Sequence, residues 1–245
     1  MTMRGYTVVA VLGLAFCMPL AVAAQTPAIA SSTPAPASDA DLAKARCIAG
    51  EEKFLPADYY YCLGTQSYGE KEYSAAKRFF TTAASWASKP AQYVLGVMAL
   101  NGDHQRPDRA LALAWFSLAA ERPDSHFAAA YNDLLKQATP SEKTAAQALL
   151  AKMTPVYGDA TAAKRGQERY EHGMALLKNE TSYCMAGMSE VGHGAATLDS
   201  PADGDTCVRV ELVQERVDKA AEVVFDGWQG HVTVGALQQV HQPQQ

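Results

Sequence analysis

A glycine inside a helical pattern is the feature that most constrains what this chain can fold into. Residues 91–120 have apolar positions at helical spacing, and Gly96 stands within the first part of that pattern. Glycine costs about 1 kcal/mol relative to alanine inside a helix, so we expect a packing reason for it. A side chain there would hold a partner helix away. The following segment offers a small-residue face, formed by Ala110, Ala114 and Ala120. The pattern therefore predicts two short helices packed closely together.

The same pattern occurs once more, earlier in the chain. At an offset of 32 residues, the first-helix positions that correspond are Tyr61, Leu63 and Gly64 with Tyr93, Leu95 and Gly96. At an offset of 36 residues, the second-helix positions that correspond are Phe80, Ala83 and Ala84 with Phe116, Ala119 and Ala120. The offset changes between residues 69 and 75, which predicts a shorter loop inside the earlier helix pair. Phe79 supplies aromatic bulk where the later copy has Trp115.

A third, incomplete copy follows the second. Tyr131 restarts a first helix, and Thr139 with Glu142 then forms a capping-box pattern with Pro140 at the first helical position. Residues 145–152 continue that helix with alanine and leucine. A repeat array ends where a helix can turn a polar face to water, so we interpret this helix as the cap.

These helix pairs resemble the Sel1-like repeat, a relative of the tetratricopeptide repeat. The positions that carry the resemblance are Leu63, Gly64, Leu95, Gly96, Gly102, Ala110, Trp115, Ala119 and Ala120. The resemblance extends over residues 59–150. Proteins of this family bind other proteins. The resemblance therefore implies a short α-solenoid that binds a protein or peptide partner.

The N-terminus predicts export from the cytoplasm. An arginine precedes an apolar run over residues 6–20, and Ala23 and Ala24 fit the small-residue cleavage site of a secretory signal peptide. The run is too short for a comfortable membrane span of about 20 residues. A lipoprotein acylated at Cys17 is the alternative, although the bulky Phe16 before it disfavours that hypothesis. We expect the mature chain in the periplasm.

Composition and pattern divide the chain into four parts. Residues 1–24 are the predicted signal peptide. Residues 25–37 consist almost wholly of alanine, proline, serine and threonine, which bury too little apolar surface to order a chain, so this leader is predicted to be disordered. Residues 38–153 form the predicted repeat domain, which opens with a short helix. Residues 159–240 form a predicted C-terminal domain.

The C-terminal domain is predicted to be α+β. Residues 159–179 have a helical pattern and are expected to bridge two units. Beyond residue 181 the apolar period becomes two, with Val208, Val210 and Leu212 alternating with charged residues. The predicted strands, with a hairpin turn at residues 226–230, are residues 183–188, 208–212 and 232–236. The fold class is therefore mainly α: a short α-solenoid followed by a small antiparallel sheet.

Four cysteines remain after the signal peptide, namely Cys47, Cys62, Cys184 and Cys207. An even number in an oxidising compartment predicts disulfides, and three pairings are possible. We favour Cys47 with Cys62 and Cys184 with Cys207, because each pair closes a short loop within one unit and contributes about 3 kcal/mol. A metal site is the weaker alternative, since no Cys-x-x-Cys motif is present.

The sequence carries few signs of catalysis. It contains no phosphate-binding glycine loop, HExxH helix or GxSxG elbow, so we predict a non-enzymatic protein without a cofactor or a catalytic or metal site. One loop leaves an alternative open. Ser189, Glu190 and His193 fit a cell-envelope hydrolase, or a peptidoglycan-binding protein, with its activity in the C-terminal domain.

Charge and aromatic residues limit the classes of partner that we expect. A formal net charge of -5 without a basic cluster disfavours nucleic acid and anionic membrane surfaces. The aromatic residues that we consider for a binding surface or for the core are Tyr59, Tyr60, Tyr61 and Trp86. His104 and His126 are predicted to lie in solvated loops. The expected protein is thus a periplasmic adaptor whose partner is an unidentified envelope protein or peptide.

Overall fold

The described part of the chain is built mainly of helices. The computed structural model describes residues 37–178, 180, 182–184 and 207–230. Its elements are α1 (Asp39–Leu42), a 3-10 helix (Glu51–Lys53), α2 (Pro56–Gly69), α3 (Tyr73–Ser85), α4 (Lys89–Asn101), α5 (Arg109–Ala119), α6 (Ala128–Gln137), α7 (Pro140–Tyr157), α8 (Ala162–Leu177), β1 (Ser182–Cys184), β2 (Cys207–Arg209) and α9 (Val210–Val224). Within these residues, no helix combines the length and the apolar character that crossing a membrane requires.

The same glycine contact builds the first two helix pairs. A Cβ added at Gly64 on α2 would lie closer than 3.0 Å to the ring of Phe80 on α3. Gly96 on α4 stands in the same relation to the ring of Phe116 on α5. Each glycine therefore makes room for an aromatic ring. This corrects one expectation: Gly96 faces a phenylalanine ring, not the predicted small-residue face.

The loops explain why the two copies differ in offset. Residues 70–72 connect α2 to α3, whereas residues 102–108 connect α4 to α5. The second loop is four residues longer, which equals the change of offset from 32 to 36 residues. The prediction of a shorter loop in the earlier pair is confirmed.

Local capping fixes the ends of the second pair. The Ser88 side chain accepts a hydrogen bond from the backbone N–H of Ala91, so α4 begins at the following residue. Gly102 ends α4 with a φ of 75°, a left-handed conformation that glycine adopts without a Cβ penalty. Asp108 then starts α5 by accepting a hydrogen bond of 2.9 Å from the N–H of Leu111.

The third helix pair departs from the first two. Thr139 and Glu142 form the predicted capping box at the start of α7, and Pro140 occupies the first helical position. However, α7 has its most extensive contacts with α5 and also touches α3. Tyr157 at its end packs against Trp115, with 4.8 Å between the ring centroids. Helices α6 and α7 therefore each pack on α5 of the second pair, and most of the surface of α7 is in solvent.

Residues 210–224 are helical, so the prediction of a strand at Val210 and Leu212 is wrong. The buried residues of α9 are Val210, Val217 and Ala221, a helical spacing. Only residues 208–212 alternate, and the helical period over the fifteen residues of α9 prevails. The helix ends in a turn at Gly227, which has a φ of 71°. The predicted hairpin turn is thus the end of a helix.

Only a small part of the predicted sheet lies within the described residues. Strands β1 and β2 pair antiparallel, with Tyr183 opposite Val208. Residues 185–188 and 232–236 lie outside the described residues, as do the predicted signal peptide, nearly all of the leader, and Ser189, Glu190 and His193. The helix predicted within residues 159–179 is present as α8.

The core of the C-terminal helices includes two residues that lie just before α2. Phe54 and Leu55, just before α2, are buried in one cluster with Leu177 of α8 and with Val217 and Phe225. The described residues from 37 onward accordingly belong to one compact unit. Helices α8 and α9 therefore share a core with the segment that leads into the repeats.

The predicted Cys47–Cys62 disulfide is present. It ties the segment before the 3-10 helix to the middle of α2. The backbone register places Cys184 opposite Cys207. A disulfide between that second pair remains a prediction.

The repeated glycine contact predicts that even alanine is too large at these positions. Gly64→Ala and Gly96→Ala should each lower the free energy of unfolding by about 1 to 3 kcal/mol, because a buried ring must move. Gly166→Ala in α8 is the control, since the nearest atoms lie 3.5 Å from an added Cβ. It should raise stability by up to about 1 kcal/mol. Urea unfolding measures all three. Equal stability of Gly96→Ala and Gly166→Ala would contradict the packing.

Candidate functional site

Lys89 is the first member of a buried polar network. Lys89 is the first residue of α4 and is 5% exposed. Its Nζ lies 3.0 Å from Oε2 of Glu121 and 3.0 Å from Oδ1 of Asp159, and it donates to the backbone oxygen of Leu118 at 2.8 Å. A buried ammonium needs such partners, because desolvation of an isolated charge is costly.

A buried arginine shares the same carboxylate. Nε of Arg122 lies 2.8 Å from Oδ2 of Asp159. Its Nη1 donates to the backbone oxygens of Val224 at 2.7 Å and Asp226 at 2.9 Å. Arg122 follows α5, Asp159 precedes α8, and the two carbonyls end α9. One guanidinium therefore joins three distant parts of the chain.

A fully buried glutamine extends the network toward the repeats. The side chain of Gln92 donates to the backbone oxygen of Tyr157 at 2.8 Å and to that of Ala84 at 3.3 Å. Its Oε1 accepts from Lys89 at 3.3 Å. In addition, Glu121 accepts from the backbone N–H of Asp159 at 2.9 Å. We call Lys89, Gln92, Glu121, Arg122 and Asp159 the ion cluster. Two cations and two carboxylates make its formal charge zero.

A pocket of about 340 Å³ lies beside the ion cluster. Its first wall is the start of α4 with Pro90, its second is the loop 122–127 that follows α5, and its third is the end of α9. The apolar lining residues are Pro90, Pro123, Phe127, Val223 and Val224. This volume falls within the range of about 300–1,000 Å³ typical of ligand pockets. The pocket can therefore accept one or two apolar side chains.

Carboxylates surround the pocket. Asp124, Glu222 and Asp226 line it and are exposed, whereas Lys89 and Arg122 below are held by the ion cluster. Among the ion pairs of the described residues, none involves these three carboxylates. These three carboxylates, which we call the rim, therefore give the opening of the pocket a negative electrostatic potential, whereas its interior is apolar.

A second group of ionisable residues lies where α9 meets the 3-10 helix and the beginning of α2. Burial and, to a lesser extent, the nearby Asp58 carboxylate raise the pKa of Glu51 to about 7, although Arg216 of α9 acts in the opposite direction. Burial also raises the pKa of Asp58, although its hydrogen bond with Glu51 acts in the opposite direction. Glu51 is therefore the member of this pair that holds a proton, and it donates to Asp58.

The aromatic residues that the sequence offered for a binding surface or for the core lie in different environments. Tyr61 packs against Phe80 with 5.8 Å between ring centroids, which puts it beside the core. Tyr60 is half-buried and stacks on Phe79 at 6.4 Å. The Arg165 guanidinium lies 5.1 Å above the ring of Trp86. Of the two roles considered for these residues, packing is the one that Tyr61 has.

The two loop histidines also differ. His104 is stacked on Tyr73 with 3.4 Å between ring centroids. His126 is exposed and lines the pocket. The described residues contain no group of three or more histidine, cysteine, aspartate or glutamate side chains that could hold a metal ion.

The repeat-signature residues are structural. The buried members are Gly64, Leu95, Gly96, Trp115 and Ala119. The half-buried members are Leu63, Gly102, Ala110 and Ala120. They hold helix pairs together, and none of them lines the pocket.

No sequence motif predicts the ion cluster. Lys89 and Glu121 are 32 residues apart, and Arg122 and Asp159 are 37 apart, so no local pattern joins them. One signal was available. Charged residues at the ends of alanine-rich helices, next to Pro90 and Pro123, indicate side chains near a tight junction.

Comparisons with protein-family models, with curated proteins and with solved structures find no match for this chain.

The ion cluster predicts a large effect from a nearly isosteric change. Asp159→Asn removes the carboxylate that Lys89 and Arg122 share, so it should cost about 3 kcal/mol of unfolding free energy. The control is Asp133→Asn, which breaks an exposed pair with Lys136 and should cost less than about 1 kcal/mol. Urea unfolding at constant pH compares them. Similar losses in the two variants would refute a structural role for the cluster.

The Glu51–Asp58 pair predicts that stability falls with rising pH. The pKa of Glu51 is 4.5 unperturbed and about 7 in the folded chain, so the folded state binds the proton more tightly. Its contribution is fully present below pH 4.5 and is lost as the pH rises through 7.

Glu51→Gln replaces the titrating carboxyl group by an amide, which does not ionise. It should reduce the loss of stability between pH 5 and pH 8 by on the order of 1 to 2 kcal/mol, allowing for partial screening by solvent. Glu215→Gln, an exposed change on α9, is the matched control. Parallel pH profiles for the parent and Glu51→Gln would disprove the assignment.

Proposed function

We propose that this protein is an exported, non-enzymatic adaptor of the Sel1-like repeat type that binds an envelope protein or peptide. The observation that carries the proposal is the recurrence of one contact: Gly64 against Phe80, and Gly96 against Phe116. Two helix pairs with the same internal contact, at the positions where the sequence repeats, form a short α-solenoid.

Repeat arrays favour binding over catalysis for a physical reason. Each helix pair packs mainly on its neighbours, which leaves an extended surface along the array. In this chain α3 packs on α4, and α5 packs on both α6 and α7, so the successive helices form a continuous array. A partner that contacts several pairs at once gains area without requiring a catalytic group.

Export to the periplasm is supported by the disulfide. Disulfides persist in oxidising compartments, and the Cys47–Cys62 bond is present. The hydrophobic N-terminus with Ala23 and Ala24 supports a cleaved signal peptide. The hydrolase hypothesis depends on Ser189, Glu190 and His193, so it stays the alternative without support from the described residues.

Crosslinking in the intact envelope tests the adaptor function. The tagged full chain should recover one protein at a fixed stoichiometry. Gly96→Ala should lower that recovery severalfold, because it disturbs the packing of the second pair, whereas Gly166→Ala should leave it unchanged. If the parent chain recovers no protein, and the purified protein turns over peptidoglycan fragments, the hydrolase alternative replaces the proposal.

A further inference from the structure

An exposed apolar residue marks one side of the pocket. Val223 of α9 is 74% exposed, more than Leu212 of the same helix at 44%, whereas Val210, Val217 and Ala221 are buried. A large apolar side chain on the outer face of a helix has no packing role within the described residues. Val223 lines the pocket together with Pro90, Pro123 and Phe127.

The pocket walls are held in place before any ligand arrives. Arg122 binds the carbonyl groups of Val224 and Asp226, so the loop after α5 and the end of α9 keep a fixed spacing. Within the loop, Ser125 Oγ donates to the backbone oxygen of Ala119 at 3.0 Å and accepts from the N–H of Phe127 at 3.2 Å. A preformed pocket lowers the entropic cost of binding.

Charge decides what the pocket accepts. The ion cluster neutralises Lys89 and Arg122, so the cations beneath the pocket do not balance the rim. Asp124, Glu222 and Asp226 remain around the opening. The complementary ligand has an apolar group that enters and positive charges that stay at the rim.

We propose that this pocket binds a peptide segment of the partner in which an apolar side chain is flanked by lysine or arginine. The proposal rests on the adaptor function and names the chemistry of its partner. The chain's own residues 231–245 contain valine and leucine but no lysine or arginine, so they match the interior of the pocket and not its rim. A segment of a basic partner matches both.

Synthetic peptides test the charge and the apolar group separately. The probes are Gly-Lys-Leu-Lys-Gly, Gly-Glu-Leu-Glu-Gly and Gly-Lys-Ser-Lys-Gly, titrated into the full mature chain by calorimetry and by NMR. The first should bind at least tenfold more tightly than either of the others at low salt. Its advantage over the acidic peptide should shrink at high salt, because salt screens exposed charges. Amide shifts should concentrate at Phe127 and Val223.

Matched variants separate the pocket from general effects of charge. Asp124→Asn, Glu222→Gln and Asp226→Asn together neutralise the rim and should weaken the basic peptide about tenfold. Glu168→Gln, Glu211→Gln and Glu215→Gln change the net charge equally at exposed positions of α8 and α9 and should have little effect. Val223→Ser should remove the preference for leucine over serine, whereas the same substitution at Leu212 should not.

Three results would overturn the pocket assignment. They are equal affinity for the basic and acidic peptides, amide shifts located elsewhere, and displacement of the basic peptide by a peptide of residues 231–245 that binds more tightly. Crosslinking distinguishes this failure from failure of the adaptor function. If the rim variant recovers the envelope partner at the parent level, the pocket assignment falls and the function stands. If the parent recovers no partner, the function itself falls.

Discussion

The shared carboxylate of Asp159 is the interaction on which the arrangement of the later helices depends. It accepts Lys89 from the start of α4 and Arg122 from the loop after α5, and Arg122 in turn holds the carbonyl groups at the end of α9. A buried ion pair is poor evidence for high stability, because desolvation offsets much of the attraction. Its directional bonds instead specify one geometry. Without them, an apolar core alone would allow α9 to settle in several positions on its neighbours.

A second constraint orders the repeats themselves. The rings of Phe80 and Phe116 approach their partner helices so closely that only glycine fits opposite them. This contact sets the distance between the helices of each pair, and the four-residue difference in loop length leaves it unchanged. The repeats thus provide a fixed frame, and the ion cluster attaches α8 and α9 to it. The pocket lies at the junction, with one wall from the second pair and another from α9.

The sequence predicted what local chemistry determines. Gly96 acts within one helix pair and the capping box at Thr139 acts within one turn, so the pattern indicated α4, α5 and α7 correctly. The prediction failed at α9, where five alternating residues imitate a strand before the helical period prevails. The pocket could not be predicted, because its walls come from residues about 100 positions apart. Only the folded chain brings Arg122 to the end of α9.

Native-state hydrogen exchange tests most directly whether the ion cluster fixes α9 on the repeats. We expect the amides of α5 and those in the middle of α9, around Val217, to exchange through the same opening, with equal free energies and equal denaturant dependence. The end of α9 near Val224 should share that protection because Arg122 holds it. If α9 instead exchanges through a separate opening of much lower free energy, while α4 and α5 stay protected, the helix is only loosely attached. The pocket would then have no fixed wall.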